Sequence, residues 1–353
     1  MFYIGYSVME TFRTLVNPAV SPCRIGYAAS LMALGSCFAE SIGKQLLQLK
    51  FNVLTNPHGI VFHPLPLARQ MARMMTGEPY TADELTYCNG LWGSFDHHGR
   101  FSHPDAGVCL NRINAELRQG CSRLTEAEWI FVTFGTAWAY RLKDSGKFVA
   151  NCHHYPASHF ERIRTNAEEI GVCWETTLAA LRRINPRVRV VFTVSPVRHT
   201  GDAHENQLGK SALLLAVDRI VHTMPEYATY FPAYEIMLDD LRDYRFYSED
   251  MAHPSGQAIR YIWKKFCDTF LSDETRAITD EVESVVKAAA HRPVHMNETT
   301  AVFASELCRK INRLQQRFPN MDFTGEIHAL EQILSAVRNY AESQNHGTPP
   351  AES

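Results

Sequence analysis

The stretch "LMALGSCFAES" (31–41) sets a serine and a cysteine directly after an apolar run that ends in glycine. Where a strand gives way to a helix, the first N–H groups of the helix lack partners and carry positive potential. A nucleophile at that point stands beside donors able to hold an oxyanion. Ser36 is the expected nucleophile, and simple capping of the helix by its hydroxyl is the structural alternative. Cys37 is the rival, because a helix N-terminus favours a thiolate. If Ser36 faces the cleft, Cys37 turns back into the packing, where a small thiol is common. The base comes from "SEDMAHPSG" (248–256). Asp250 and His253, three residues apart in a tight turn, can join side chain to side chain. That contact fixes the imidazole tautomer and supports the imidazolium. Ser36, His253 and Asp250 thus form a complete nucleophile, base and orienter set.

Other polar residues gather at the ends of apolar runs, where ligands bind in open α/β sheets. Asn56, His58 and Gly59 follow one run, and Thr136 and Trp138 follow another. His199, Asp202, Glu205, Asn206 and Lys210 lead from a third into a helix, either as a cleft rim or as a capping network. Gly209-Lys210-Ser211 is not expected to be a phosphate loop, since His204 stands where that motif needs glycine and the triplet falls inside a helix. The neighbouring histidines His97-His98 and His153-His154 point to opposite faces in extended chain, so no metal site is expected. Polar surface is expected for the first pair and cleft lining for the second. Trp92, Trp138 and Tyr140 read as an aromatic wall or as core.

These residues need a scaffold. The chain has 353 residues, 45% of them hydrophobic, which is ample for a sizeable core. A net charge of -3 gives no reason to expect nucleic acid or an anionic membrane as partner. No run approaches a membrane span, and the N-terminus lacks the features of a signal peptide. Nine scattered cysteines, odd in number and never spaced C-x-x-C, fit free thiols in a reducing cytoplasm. Strands are expected at 31–35, 50–55, 128–135 and 187–196, with a last one in "YATYFPAYEIM", and helical periodicity lies between them. The alternation predicts an α/β fold with a doubly wound, mostly parallel sheet. After about residue 272 only helical patterns remain, near 273–291, 299–317 and 323–342, with a stripe of Val302, Phe303, Leu307, Ile311 and Leu314. The expected division is a hydrolase-like domain over 11–272, a helical region over 273–342 and a disordered tail over 343–353.

Several blocks also carry a family resemblance: Gly35-Ser36-Cys37-Phe38-Ala39, "NPHGIVFHP" (56–64), "TFGTAWAY" (133–140), "NCHHYP" (151–156), "SPVRHTGDAHENQLGKS" (195–211) and "DMAHPS" (250–255). In these the chain resembles the GSCFA domain family, and in block order the SGNH (GDSL-like) hydrolases. The resemblance implies a three-layer, flavodoxin-like sandwich and acyl-ester hydrolysis or transfer through Ser36, with carbohydrate or small-molecule esters as substrates. It implies an oxyanion hole from the N–H groups of Ser36 and Gly59, and Asp250 with His253 as the acid–base pair. It implies neither cofactor nor metal. One block departs: where SGNH enzymes carry an asparagine as side-chain donor, this chain has Ala137. Either two backbone donors suffice, or Asn151, His153 or Asn206 supplies the third. A catalytically weak binding module using the same cleft, and a Cys37-dependent thiol hydrolase, are the alternatives.

Overall fold

Leu31–Gly35 is apolar and buried at every position, as a strand covered on both faces must be. It is β1 of a computed structural model that describes residues 14–199 and 201–345, with side chains as far as residue 340. Four parallel strands accompany it: β2 (Val53–Thr55), β3 (Trp129–Phe134), β4 (Arg189–Val194) and β5 (Ala228–Tyr230). Their order, β5-β4-β3-β1-β2, is the flavodoxin-like one. Its switch point falls between β1 and β3, where Gly35 pairs with Thr133.

Alternate side chains of each strand feed two layers. Met32, Leu34, Ile130, Val132, Phe134 and Phe192 share one core with helices α2 (Pro64–Thr76), α3 (Ala106–Glu126), α4 (Ala167–Ile184) and α5 (Ala203–Thr223). Trp174 of α4 meets Phe134 edge-on at a centroid distance of 5.0 Å. On the opposite face, Ala33, Phe131 and Val191 lie against Phe38 of α1 (Cys37–Gln48) and Phe266 of α6 (Gly256–Phe270). The fold is therefore a mostly parallel α/β sandwich. A three-stranded antiparallel sheet, Trp138–Leu142 with Phe148–Val149 and Phe160–Arg164, follows β3. It turns around residues 144–146, with Gly146 at φ 70°. A short hairpin pairs Thr86–Cys88 with Leu91–Gly93.

Several boundaries move for local reasons. The strand expected from residue 50 starts at Val53, because Lys50 adopts φ 62° and closes the end of α1, with Phe51 N–H bonded to the Leu46 carbonyl at 3.0 Å. The last strand ends at Tyr230; beyond Pro232 the chain turns helical. Asn166 caps α4 by accepting from the Glu169 N–H at 2.8 Å.

Residues 14–23, 30–43 and 53–270 form one compact unit, which holds all of the sheets; residues 24–29, 44–52 and 271–345 form a second. The second contains α7 (Asp273–Ala289), α8 (Glu298–Arg317) and α9 (Thr324–Asn345). In α8 the buried stripe is Ala304, Leu307, Ile311 and Leu314; Val302 and Phe303, expected in it, are exposed. Tyr27 packs on Phe318, with ring centroids 5.0 Å apart, and Lys50 pairs with Glu326 at 2.8 Å. Residues 343–345, expected as the start of a disordered tail, continue α9; 346–353 and 11–13 lie outside the described residues. No helix among the described residues is long and apolar enough to cross a membrane.

Candidate active site

The β1–α1 junction is built around a glycine. Gly35 has φ +122°, and a Cβ there would sit 2.1 Å from the Thr133 carbonyl oxygen, so no other residue fits. Beyond it, pairing with β3 continues for one more residue: Ser36 N–H donates to the Thr133 carbonyl at 3.1 Å. Ser36 therefore still belongs to the sheet. It is fully buried, and its Oγ accepts from the Phe38 N–H at 3.2 Å. The first side chain to leave the sheet is that of Cys37.

This reverses the expectation for the two residues. Ser36 caps α1 and, among the described residues, meets no base, whereas Cys37 Sγ stands 3.3 Å from His253 Nε2. His253 Nδ1 lies 2.6 Å from Asp250 Oδ2. With Nδ1–H donating to the carboxylate, Nε2 is left as the acceptor for the thiol proton. The other carboxylate oxygen of Asp250 accepts from the N–H groups of Ala252 and His253, both at 2.9 Å. Those two backbone bonds, and then the imidazole, hold the Asp250 carboxyl down to about 2. The turn is anchored from outside: Arg198 N–H donates to the Ala252 carbonyl at 3.0 Å, and Ser248 N–H to that of His253 at 2.7 Å.

Burial pushes the Cys37 thiol up. The N–H groups of Cys37 and Phe38 and the charge of Lys210 oppose that rise, while Glu40 adds to it. The thiol thus rests protonated at neutral pH, beside groups that favour its anion.

The oxyanion donors expected at Ser36 and Gly59 are both engaged. The Gly59 N–H closes a turn onto the Asn56 carbonyl at 2.8 Å, as the Ser36 N–H closes onto Thr133. Gly59 has φ +81°, and a Cβ there would meet His98 Cβ at 2.2 Å, so its glycine serves the turn and a close approach. Asn56 is buried and ties the loop to the strand end, its Oδ1 accepting from the Gly35 N–H at 2.8 Å. His58 does not line the cleft; it is buried about 5.1 Å from the ring of His97, and burial pulls it down to about 4. His97, expected on the surface, is likewise fully buried. His153 holds the 94–102 loop, with Nε2 2.7 Å from the Ser94 carbonyl and Nδ1 3.3 Å from Ser102 Oγ.

Thr136, Trp138, Asn151 and His199 do come together, with Phe62 and Arg162, around a cavity of about 410 Å³. Arg162 lies 4.1 Å over the Trp138 ring and pairs with Glu205 at 2.6 Å. His199 presses against Gly135, where a Cβ would stand 2.6 Å from its Nε2. Burial first, then the charges of Lys210 and His253, pull His199 down to about 3. Asn206 positions this residue rather than a ligand, its Oδ1 accepting from the His199 N–H at 3.2 Å. Lys210 is 1% exposed and donates to the carbonyls of Gly135 at 2.7 Å and Ser195 at 2.6 Å, so it reaches no ligand in the cavity. Arg162 and Phe62 carried no spacing signal that would have singled them out. Among the described residues, no three His, Cys, Asp or Glu side chains gather to hold a metal ion.

Comparison with known proteins adds the following. Residues 30–266 match the model of the GSCFA family, and residues 282–336 match that of the GSCFA domain protein, C-terminal domain. No curated protein matches the sequence. Among solved structures, an acetyl xylan esterase (Est2A) from the rumen bacterium Butyrivibrio proteoclasticus is similar at 12% identity and a TM-score of 0.36. The match covers 69% of this chain and spans 64% of that enzyme's length.

Proposed function

We propose, from the premise that the chain belongs to the GSCFA family, that it is a thiol-dependent hydrolase or acyltransferase acting on ester bonds. The observation that carries this reading is the contact of Cys37 Sγ with His253 Nε2 at 3.3 Å, backed by Asp250 at 2.6 Å. Nucleophile, base and orienter stand in hydrogen-bond sequence, as covalent catalysis requires.

The reaction proceeds in two halves. His253 Nε2 takes the Sγ proton as the sulfur attacks the acyl carbonyl. The oxyanion settles at the N-terminus of α1, against the Cys37 N–H. The imidazolium then protonates the departing alkoxide, leaving an acyl-thioester on Cys37. Water, or a hydroxyl held in the adjoining cavity, gives its proton to His253 and resolves the thioester, which distinguishes hydrolysis from transfer. The aromatic face of Trp138 with Thr136, Asn151 and Arg162 suits a hydroxylated acceptor, and O-acylated carbohydrate is the substrate class we assign.

One observation favours a second reading. The Ser36 and Gly59 N–H groups are already bonded, so a binding module with little turnover would also use this cleft. Mass spectrometry after brief exposure to a short-chain aryl ester separates the two. An acyl group on the Cys37 peptide supports catalysis. Its absence, with ligand still bound, supports the module.

A further inference from the structure

We propose that the cleft between α5 and the 237–247 segment is a second ligand site, built for a ring-bearing oxyanion: a carboxylate or phosphate on a flat or cyclic body. The inference does not rest on the reading of Cys37 as nucleophile. The cleft has a volume of about 350 Å³, within the span of small-molecule pockets. Its floor is apolar, with Met237 and Leu241 buried there. Both belong to a single π-helical turn around Ile236–Asp240, which the Leu241 N–H closes onto the Ile236 carbonyl at 3.2 Å. Such turns are rare and recur at functional sites. The walls carry donors. The Arg198 guanidinium lies 5.2 Å from the Tyr247 ring centroid and 5.9 Å from that of Tyr244. Among the described residues it meets these rings and no carboxylate. A guanidinium stacked in this way keeps its in-plane N–H groups for a planar anion. Arg242 is steered by its Nε–H, which donates to the Leu238 carbonyl at 3.2 Å, and its ion pair with Asp239 is an exposed contact at 3.4 Å. Gln207 accepts from the Tyr234 hydroxyl through Oε1 at 2.8 Å, which leaves its amide N–H groups to donate. Asp243, the carboxylate in the lining, is taken by its own turn: it accepts from the Arg245 N–H at 3.0 Å and pairs with the Arg245 side chain at 3.8 Å. Two cations and an amide therefore face the ligand, with tyrosine rings for its flat body. Singly these residues are ordinary surface; their convergence on one concavity is not. The walls are also fixed before a ligand arrives. Arg198 N–H donates to the Ala252 carbonyl at 3.0 Å, and Tyr247 bridges to Pro254, so both are tied to the Asp250–His253 turn. A cleft ordered in advance loses less on binding. The next residue, His199, lines the other cavity, so the two cavities meet along residues 198 and 199.

The test reads binding rather than turnover. Phenyl phosphate and benzoate are titrated into the full chain by calorimetry, with phenol and inorganic phosphate as the ring and the anion alone. Saturable binding of phenyl phosphate or benzoate supports the site, and the tighter of the two names the oxyanion. Failure of both overturns it, as does binding by phenol or inorganic phosphate of equal strength. Arg198→Gln and Arg242→Gln should each weaken the bound probe roughly tenfold, as loss of a charged hydrogen bond does. Arg162→Gln, in the other cavity, should leave it unchanged. Loss of binding that follows Arg162 instead of Arg198 moves the probe to that cavity and overturns the proposal. Folding is checked by circular dichroism; if Arg198→Gln does not fold, the exposed Tyr244→Ala takes its place, and unchanged affinity there overturns the site. Cys37→Ala should bind the probe as the parent does. A loss there would place the ligand at the thiol and overturn the site, whereas loss of turnover with binding kept bears on the nucleophile reading alone, so the two failures are separable.

Discussion

His253 Nε2 faces the sulfur of Cys37 at 3.3 Å, while the neighbouring Ser36 hydroxyl turns inward to the Phe38 N–H at 3.2 Å. Two adjacent side chains of similar size thus have opposite destinations. Substitution should tell them apart. Cys37→Ala should lower kcat/KM on a short-chain ester by at least about 10³-fold, as loss of a nucleophile does. Ser36→Ala should keep activity within about tenfold and lose a cap, costing roughly 0.5–2 kcal/mol in urea unfolding. A fully active Cys37→Ala variant would return the role to the serine.

His253→Ala should remove acylation of Cys37 almost completely. Asp250→Asn should leave the fold intact and reduce kcat by up to about 10⁴-fold, since the amide supports the wrong tautomer. Because the Asp250 carboxyl is held down to about 2, its orienting charge should persist to strongly acidic pH in the parent. A pH–rate profile of both variants checks these outcomes.

Stability should fall with acid before most carboxylates titrate. His58 is held down to about 4, and His63 and His199 to about 3, chiefly by burial. Each is neutral in the fold and charged once unfolded, so the unfolded chain binds more protons below about 6.5. The stability they contribute is complete above pH 6.5 and is lost as pH drops toward 4 and then 3. The slope approaches about 1.4 kcal/mol per pH unit for each histidine. Urea midpoints measured from pH 7.5 to 4 read it directly, and His58→Gln should flatten the curve.

Gly35→Ala should be severe for its size. The added Cβ meets the Thr133 carbonyl, and φ +122° is strained for alanine. A backbone cost of about 1–3 kcal/mol is expected before any clash is counted. Alkylation of Cys37 should lose its dependence on His253 even where the variant still folds.

Trp138→Ala should raise KM for a bulky acylated glycoside while sparing kcat on a small aryl ester. The ring lines the cavity and lies outside the Cys37–His253–Asp250 chain. An equal loss on both substrates would place the substrate elsewhere.

The sheet was readable because strands buried on both faces leave continuous apolar runs, as in "LMALG" and "WIFVTF". The Asp250–His253 contact was readable because it is local, spanning one turn. The choice between Ser36 and Cys37 was not, because it depends on where pairing with β3 stops. That is a relation between residues 36 and 133, which no local spacing reveals. His97 and His58 were misplaced for the same reason: they pack on Tyr80 and on each other, partners distant in the chain. Lys210 looked like surface chemistry because a lysine in a polar stretch usually is.

Asp250 and His253 occupy one turn tied by its own hydrogen bonds, so carboxylate and imidazole are placed together. Cys37 is fixed separately, at the mouth of a helix docked on the sheet. On the proposed thiol mechanism, readiness for reaction therefore reduces to one coordinate, the sulfur–nitrogen separation. Any ligand, variant or solvent condition can be ranked by what it does to that length, which makes a distance probe spanning residues 37 and 253 a gauge of competence even before a substrate is in hand.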